Sequence, residues 1–137
     1  GMFATPDQII DATCKAFSDL SSGIGYRERA SAWLPVVRED VLTTCKDGCP
    51  MPVSQCRIMC IYIIMQHGII DGRKMTFECV GEIFGKRRGR TRNSMLRACE
   101  MLSVPVFSAI YARALADIRL QGLWLWRAPQ HMDCDAA

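Results

Sequence analysis

The sequence predicts an all-α protein: a single helical domain over residues 1–137, a bundle that contains a helix-turn-helix. Three observations predict it. Apolar residues recur at helical spacing along most of the chain, and few segments alternate with the period of two that strands require. Threonine, proline and glycine fall where helices start and stop. Between Thr76 and Leu102 a short helix, a glycine-ended turn and a second amphipathic helix follow one another directly.

The first helix is expected over Pro6 to Leu20. Thr5 stands ready as its N-cap and Pro6 occupies the first helical position. Ile9, Ile10, Thr13, Cys14 and Phe17 line one face. A second helical region spans Arg27 to Thr44, and Pro35 breaks it near Leu34 into two short pieces. Gly48, Pro50 and Pro52 mark Cys45 to Pro52 as a loop. The next segment, Val53 to His67, is apolar nearly all round, as expected of a helix at the centre of a bundle. Gly68 ends it and Asp71-Gly72 marks a turn. Thr76 caps a helix over Phe77 to Phe84, and Gly85 stops it. Lys86 to Gly89 then reads as a connection to a helix over Thr91 to Leu102. A last helix runs from about Ser103 to Gln121. The tail, residues 122–137, carries Trp124 and Trp126; packing on the domain is its first expectation and a partner surface its second.

Composition excludes several classes. Half the residues are hydrophobic and 23% are charged, an ordinary globular balance. The longest apolar run, Ile58 to Met65, is far short of the ~20 residues of a spanning helix, so no membrane role is expected. No secretory leader is legible, Gly1 ahead of Met2 reads as a cloning remnant, and the cytoplasm is the expected compartment. Among the eight cysteines, Cys45-x3-Cys49 and Cys56-x3-Cys60 suggest a metal cluster. Their spacing departs from the paired C-x2-C of zinc sites, so packing thiols are expected and no metal or other cofactor is assigned. His67 and His131 are the two histidines, and the carboxylates are scattered. His67 ends an apolar helix and reads as a core or cap histidine, and no nucleophile–base pairing is visible. The chain is therefore not read as an enzyme.

Charge is the informative feature. The chain carries +3 overall, whereas Lys86 to Arg97 holds six basic residues and no acid, so the remainder carries −3. A basic island on a slightly acidic body is the electrostatic footprint of phosphate binding. In the helix after the turn, Met95, Leu96, Ala98, Cys99 and Leu102 form an apolar side. Arg90, Asn93, Ser94 and Arg97 form the opposite side, with residue types that read base edges and phosphates.

The run Val80-Gly81-x-x-Phe84-Gly85, followed by Gly89-Arg90-x-x-x-Ser94-Met95-Leu96-x-Ala98-Cys99, resembles the C-terminal DNA-binding domain of the bacterial replication initiator DnaA. That family reads roughly I-G-x-x-F-G-G-R-D-H-T-T-V-L-x-A. Arg57-Ile58-Met59-Cys60 is similar to part of the family's upstream helix, so residues 53–102 form the initiator-like core, with the helix-turn-helix at 76–102. The resemblance implies a Trp-repressor-like fold. It also implies that Arg90, Thr91, Arg92, Asn93 and Ser94 contact bases and phosphates, with Gln55 and Arg57 nearby. Lys86, Arg87 and Arg88 read as a basic insertion in the turn, and with Arg97 they complete the expected DNA-binding set. The family's D-H-T-T is Thr91-Arg92-Asn93-Ser94 here, which changes the hydrogen-bonding options and hence the DNA sequence read. The family's basic loop before the central helix is replaced by Cys45-Lys46-Asp47-Gly48-Cys49. No G-x-x-x-x-G-K-[ST] occurs, so a complete initiator is not expected.

The expected partner is double-stranded DNA, in replication or transcription control of a bacterial or mobile-element locus. The alternative is a protein-interaction module on a degenerate DNA-binding fold. A homodimer, or a protein partner held through the Trp124/Trp126 tail, is compatible with either.

Overall fold

A computed structural model of the chain describes residues 1–43 and 48–127. The loop residues Thr44 to Asp47 and the tail from Ala128 onward, His131 included, lie outside the described residues. Among the described residues about 67% are helical, in seven α-helices with two small two-stranded sheets.

Helix α1 spans Pro6–Leu20, as the capping residues dictate. The Thr5 hydroxyl accepts from the Gln8 amide, and the Gln8 side chain accepts from the Thr5 amide, which satisfies two otherwise orphaned donors. A single 3-10 turn, Ser21–Ile24, follows. The expected second region does break around Pro35, into α2 (Glu28–Ser31) and α3 (Arg38–Leu42), and the Leu34–Pro35 peptide bond is cis.

Helix α4 runs Met51–His67 and starts two residues before the expected Val53. Pro50 sits at its N-cap and Pro52 in its first turn, where a missing N–H costs nothing. The prolines thus open the helix instead of prolonging the loop. Twelve consecutive residues, Cys56 to His67, are buried. Helices α1, α3, α5 and α6 all pack on α4, while α7 lies along α1. The core therefore encloses α4, with Met59, Ile61, Ile63 and Ile64 fully buried together with Ile9, Ile10 and Phe17 of α1 and Ile110 and Ile118 of α7.

Short strands that the helical periodicity does not signal appear at two places. Ile69–Ile70 (β2) and Arg73–Lys74 (β3) form an antiparallel hairpin, Ile69 opposite Lys74. Its turn is the expected Asp71-Gly72, with positive φ at both residues, the signature of a type I′ turn. Met2–Phe3 (β1) pairs in parallel with Leu123–Trp124 (β4), so the segment before α1 and the segment after the last helix fasten each other. Two-residue strands lie below the length at which alternation can be read.

The remaining helices are α5 (Phe77–Phe84), α6 (Arg88–Met101) and α7 (Pro105–Leu120). Among the described residues, no single helix is long and apolar enough to cross a membrane.

The tail packs through Trp126. Its amide donates to the His67 carbonyl at 3.0 Å, its ring lies under the Lys74 ammonium at 4.8 Å, and its carbonyl accepts from His67 Nδ1 at 2.8 Å. On the other side of the imidazole, Tyr111 Oη meets Nε2 at 2.5 Å. With the Trp126 carbonyl as acceptor, Nδ1 carries the proton and Tyr111 donates to Nε2. His67 is thus the buried core histidine expected of it. Trp124, by contrast, is 56% exposed and meets Phe3 edge-on at 5.8 Å.

Burial holds the His67 imidazole below its usual 6.5, opposed by the Trp126 carbonyl and aided by Arg119. The unfolded chain takes up a proton near that pH which the folded chain refuses. This contribution to stability is therefore full above about pH 6.5 and is lost as the pH falls below it. Thermal melts from about pH 8 to about pH 5 will show a falling Tm. In His67→Ala the fall flattens, and stability at neutral pH drops by about 1–3 kcal/mol because the half-buried Tyr111 hydroxyl and Trp126 carbonyl lose their partner.

Candidate functional site

The basic segment is shaped by two glycines. Gly85 ends α5 in the left-handed conformation, with φ 64°, which turns the chain sharply toward α6. Gly81, one turn earlier, faces that bend: a Cβ built there would stand 2.4 Å from the Lys86 carbonyl oxygen and 3.0 Å from Thr91 Oγ1. Only a residue without a side chain lets the bend lie this close, and the Lys86 amide donates to the Gly81 carbonyl at 2.8 Å. The Val80-Gly81 and Phe84-Gly85 pattern in the sequence therefore has a steric cause.

Helix α6 begins at Arg88, three residues ahead of the expected Thr91. Arg88, Gly89 and Arg90 form its first turn, and only Gly85, Lys86 and Arg87 link it to α5. Lys86 and Arg87 thus lie in the turn, and Arg88 opens the helix. Gly89, the end of the expected connection, is tolerated in the helix because arginines with good helix propensity flank it and the Thr91 amide closes the first turn on the Arg87 carbonyl at 3.0 Å. Arg87 is the N-cap and makes no side-chain cap bond, so the amides at the start of α6 point outward amid basic side chains, an arrangement that favours anions.

The expected residues fall into three groups. Arg90, Asn93 and Arg97 are exposed and, at 100° per residue, lie within an arc of about 60° on α6. They border a cleft of about 230 Å³ between α6 and α4, walled also by Lys86, Ser54, Arg57 and Ile58. Among the described residues, four cationic side chains line this cleft and no carboxylate does. Burial, together with the nearby guanidinium groups of Arg57 and Arg90, pushes the Lys86 ammonium below the usual lysine range. An adjoining hollow of about 210 Å³ shares Ser54, Arg57, Lys86 and Arg90 and extends the groove past Gly85 toward Thr43.

The second group does not line the groove. Arg87, Arg88 and Arg92 are exposed. Arg88 makes an ion pair with Glu78 of α5 at 3.4 Å, both side chains being largely in solvent, and such a pair is readily exchanged for another anion.

The third group faces inward. Thr91 is fully buried, and its hydroxyl donates to the Arg87 carbonyl at 3.1 Å. Ser94, 6% exposed, shares the buried stripe of Thr91 and Ala98 and also reaches the wall of the cleft beside Asn93. Both fit α6 against α5 and α4. The Gln55 side chain is bonded to the Tyr26 hydroxyl, away from the cleft. Arg57 reaches the cleft wall, but its guanidinium clamps the end of α3. Nε donates to the Val41 carbonyl at 2.6 Å, and Nη2 to the carbonyls of Thr43 at 2.8 Å and Asp40 at 3.3 Å. Nη1 reaches Cys49 Sγ at 3.0 Å.

Sequence reasoning missed Ser54 and Ile58. They share one face of α4 by i, i+4 spacing, but nothing local signals that α6 crosses that face. It also took all the cysteines for thiols, whereas Cys49 and Cys99 are each disulfide-bonded.

Compared with known protein families, curated proteins and solved structures, the chain finds no match in any of the three.

Gly81→Ala will force the bend away from α5. A loss of about 1–3 kcal/mol in denaturant unfolding is expected, the usual cost of overpacking, whereas Gly89→Ala, where a Cβ meets nothing within 4 Å, will leave stability equal or higher.

Proposed function

We propose that the chain binds double-stranded DNA through α5 and α6, which act as a helix-turn-helix with α6 as the recognition helix. The observation that carries this reading is the acid-free cleft bordered by Lys86, Arg57, Arg90 and Arg97 beside the start of α6. Like charges crowded into a half-buried groove repel one another, and an anion placed among them relieves that cost. A polyanion with regularly spaced phosphates fits a groove of this kind better than a single small anion does.

Roles follow from position. Lys86, Arg87 and Arg88, with the outward amides of the first turn of α6, bind phosphates and set the register. Arg90, Asn93 and Arg97 present the base-reading stripe, and Arg92, about 100° or more round the helix from each of them, lies outside it. Arginine pairs with guanine and asparagine with adenine in the major groove. Thr91 and Ser94 hold the helix pair together, and Gln55 and Arg57 hold the scaffold. The finer kinship, a Trp-repressor-like domain similar to that of the replication initiator, is supported by the close packing of α5 on α6 around Gly81 and Thr91 and belongs to the same proposal.

A second reading is a protein-binding module. The exposed Trp124 beside Phe3 favours it, although Trp126 contributes nothing there, being engaged with His67 and Lys74.

Fluorescence anisotropy of labelled duplexes against salt tests the proposal. Binding will weaken steeply with salt. Lys86→Ala or Arg87→Ala will weaken all sequences alike and reduce the salt slope by about one. On a preferred site selected from a random pool, Asn93→Ala or Arg97→Ala will cost about 1–3 kcal/mol and relax specificity. Absence of salt-sensitive binding to any duplex would contradict the proposal. Capture of a protein partner that survives Arg97→Glu would favour the second reading.

A further inference from the structure

On the face of α4 turned toward α1, Cys56 and Cys60 stand one turn apart, and Cys14 of α1 meets them. Cys14 Sγ and Cys56 Sγ are 3.7 Å apart, and all three sulfurs lie within 4.8 Å of one another. Cys56 and Cys60 are fully buried and Cys14 is 4% exposed. Nothing in the DNA-binding reading uses these thiols.

We propose that Cys14, Cys56 and Cys60 form a three-sulfur site for a soft, thiophilic cation, Cu(I), that ties α1 to α4. Three ligands around one ion, with metal–sulfur bonds of about 2.3 Å, require sulfurs about 4.0 Å apart. The triad already stands near that spacing, so coordination asks for side-chain adjustment and no movement of the helices.

The donor set selects the metal. Thiolate sulfur is a soft ligand and suits Cu(I) or zinc. A structural zinc ion takes four ligands. Among the described residues no histidine, carboxylate or further cysteine joins the group, and Cys56 and Cys60 are fully buried. Three-coordinate sulfur in a dry pocket is a geometry that Cu(I) accepts. The coordinating thiols give their protons to solvent as the metal binds. The Arg57 guanidinium, electrostatically coupled to Cys56 and Cys60, offsets part of the negative charge left on sulfur. Access is available on one side, because Cys14 also walls a shallow cleft of about 330 Å³ beside Val36 and Arg38.

The alternative is a set of buried thiols that pack as small hydrophobes. What sets this cluster apart is convergence: residues 42 positions apart, on two helices, bring three sulfurs to metal-binding distance.

The test is anaerobic titration of the full chain with Cu(I), kept reduced by ascorbate, which leaves disulfides intact, against a chromophoric Cu(I) chelator. Wild type is expected to withhold one equivalent from the chelator and to melt several degrees higher with the metal than without it. Cys79→Ser, at an exposed thiol remote from the triad, will behave as wild type. Cys14→Ala will lose both the withheld equivalent and the shift in Tm. X-ray absorption of the wild-type complex will show three sulfur neighbours, a readout that holds even if Cys14→Ala fails to fold. The proposal is overturned if wild type yields all its copper to the chelator, if Cys14→Ala retains it, or if the absorption spectrum shows fewer than three sulfurs. It is also overturned if Zn2+ displaces the copper and binds these thiols with four ligands.

Discussion

A helix buried on every side must satisfy each polar group it carries inside the protein, and α4 imposes that constraint on everything around it. Arg57 meets it by clamping three carbonyls at the end of α3. His67 meets it by joining Tyr111 of α7 to the Trp126 carbonyl beyond β4. Cys56 and Cys60 meet Cys14 of α1. The polar exceptions on an otherwise apolar helix thus decide which neighbours are fastened where. Hydrophobic burial supplies the driving force, about 1.5–3 kcal/mol for each large aliphatic side chain removed from water, but it is non-directional. Orientation comes from these few directed bonds. One group goes unmatched: Gln66 Nε2 is buried without a hydrogen-bond partner.

The same constraint positions the basic groove. α6 rests on α4 through Thr91, Ser94 and Ala98, so the next stripe round the helix, Arg90, Asn93 and Arg97, is placed along the edge where the two helices meet. Gly81 and Gly85 bring the bend close enough for Lys86 to join that edge. Charge is concentrated because the scaffold gives it nowhere else to go: the inward face is filled and the turn is too short to spread. Three arginines of similar chemistry are thereby separated in role. Arg57 has its donors occupied by the protein, whereas Arg90 and Arg97 border open space.

Much of this was legible in the sequence, for local reasons. Caps are local, so Thr5 and Pro6 located α1, and Thr76 and Gly85 bounded α5 to the residue. The uniform apolarity of α4 announced a central helix. Errors arose where a residue has two local meanings. Pro50 and Pro52 break helices in their interior but open them at the start, and Gly89, read as the end of a connection, lies in the first turn of α6. The site was harder, because periodicity orders side chains around a helix without saying which neighbour fills which face. Ser94 and Asn93 are adjacent polar residues, and only the crossing with α4 and α5 buries one and exposes the other. Arg57 was expected near DNA from the resemblance, yet its carbonyl partners lie 14 to 17 positions away in the chain. The meeting of Cys14 with Cys56 and Cys60 is likewise a product of helix packing that no spacing along the chain reveals.

The central claim is that the first turn of α6 and the stripe following it meet the DNA. The most direct measurement is a two-dimensional amide NMR titration of the labelled chain with a short duplex. The account predicts progressive shifts confined to Lys86 through Arg90, Asn93 and Arg97, with the amides of α1, α7 and the β1–β4 pair unmoved. Shifts centred on Phe3 and Trp124, or none at all with saturating duplex at low salt, would contradict it.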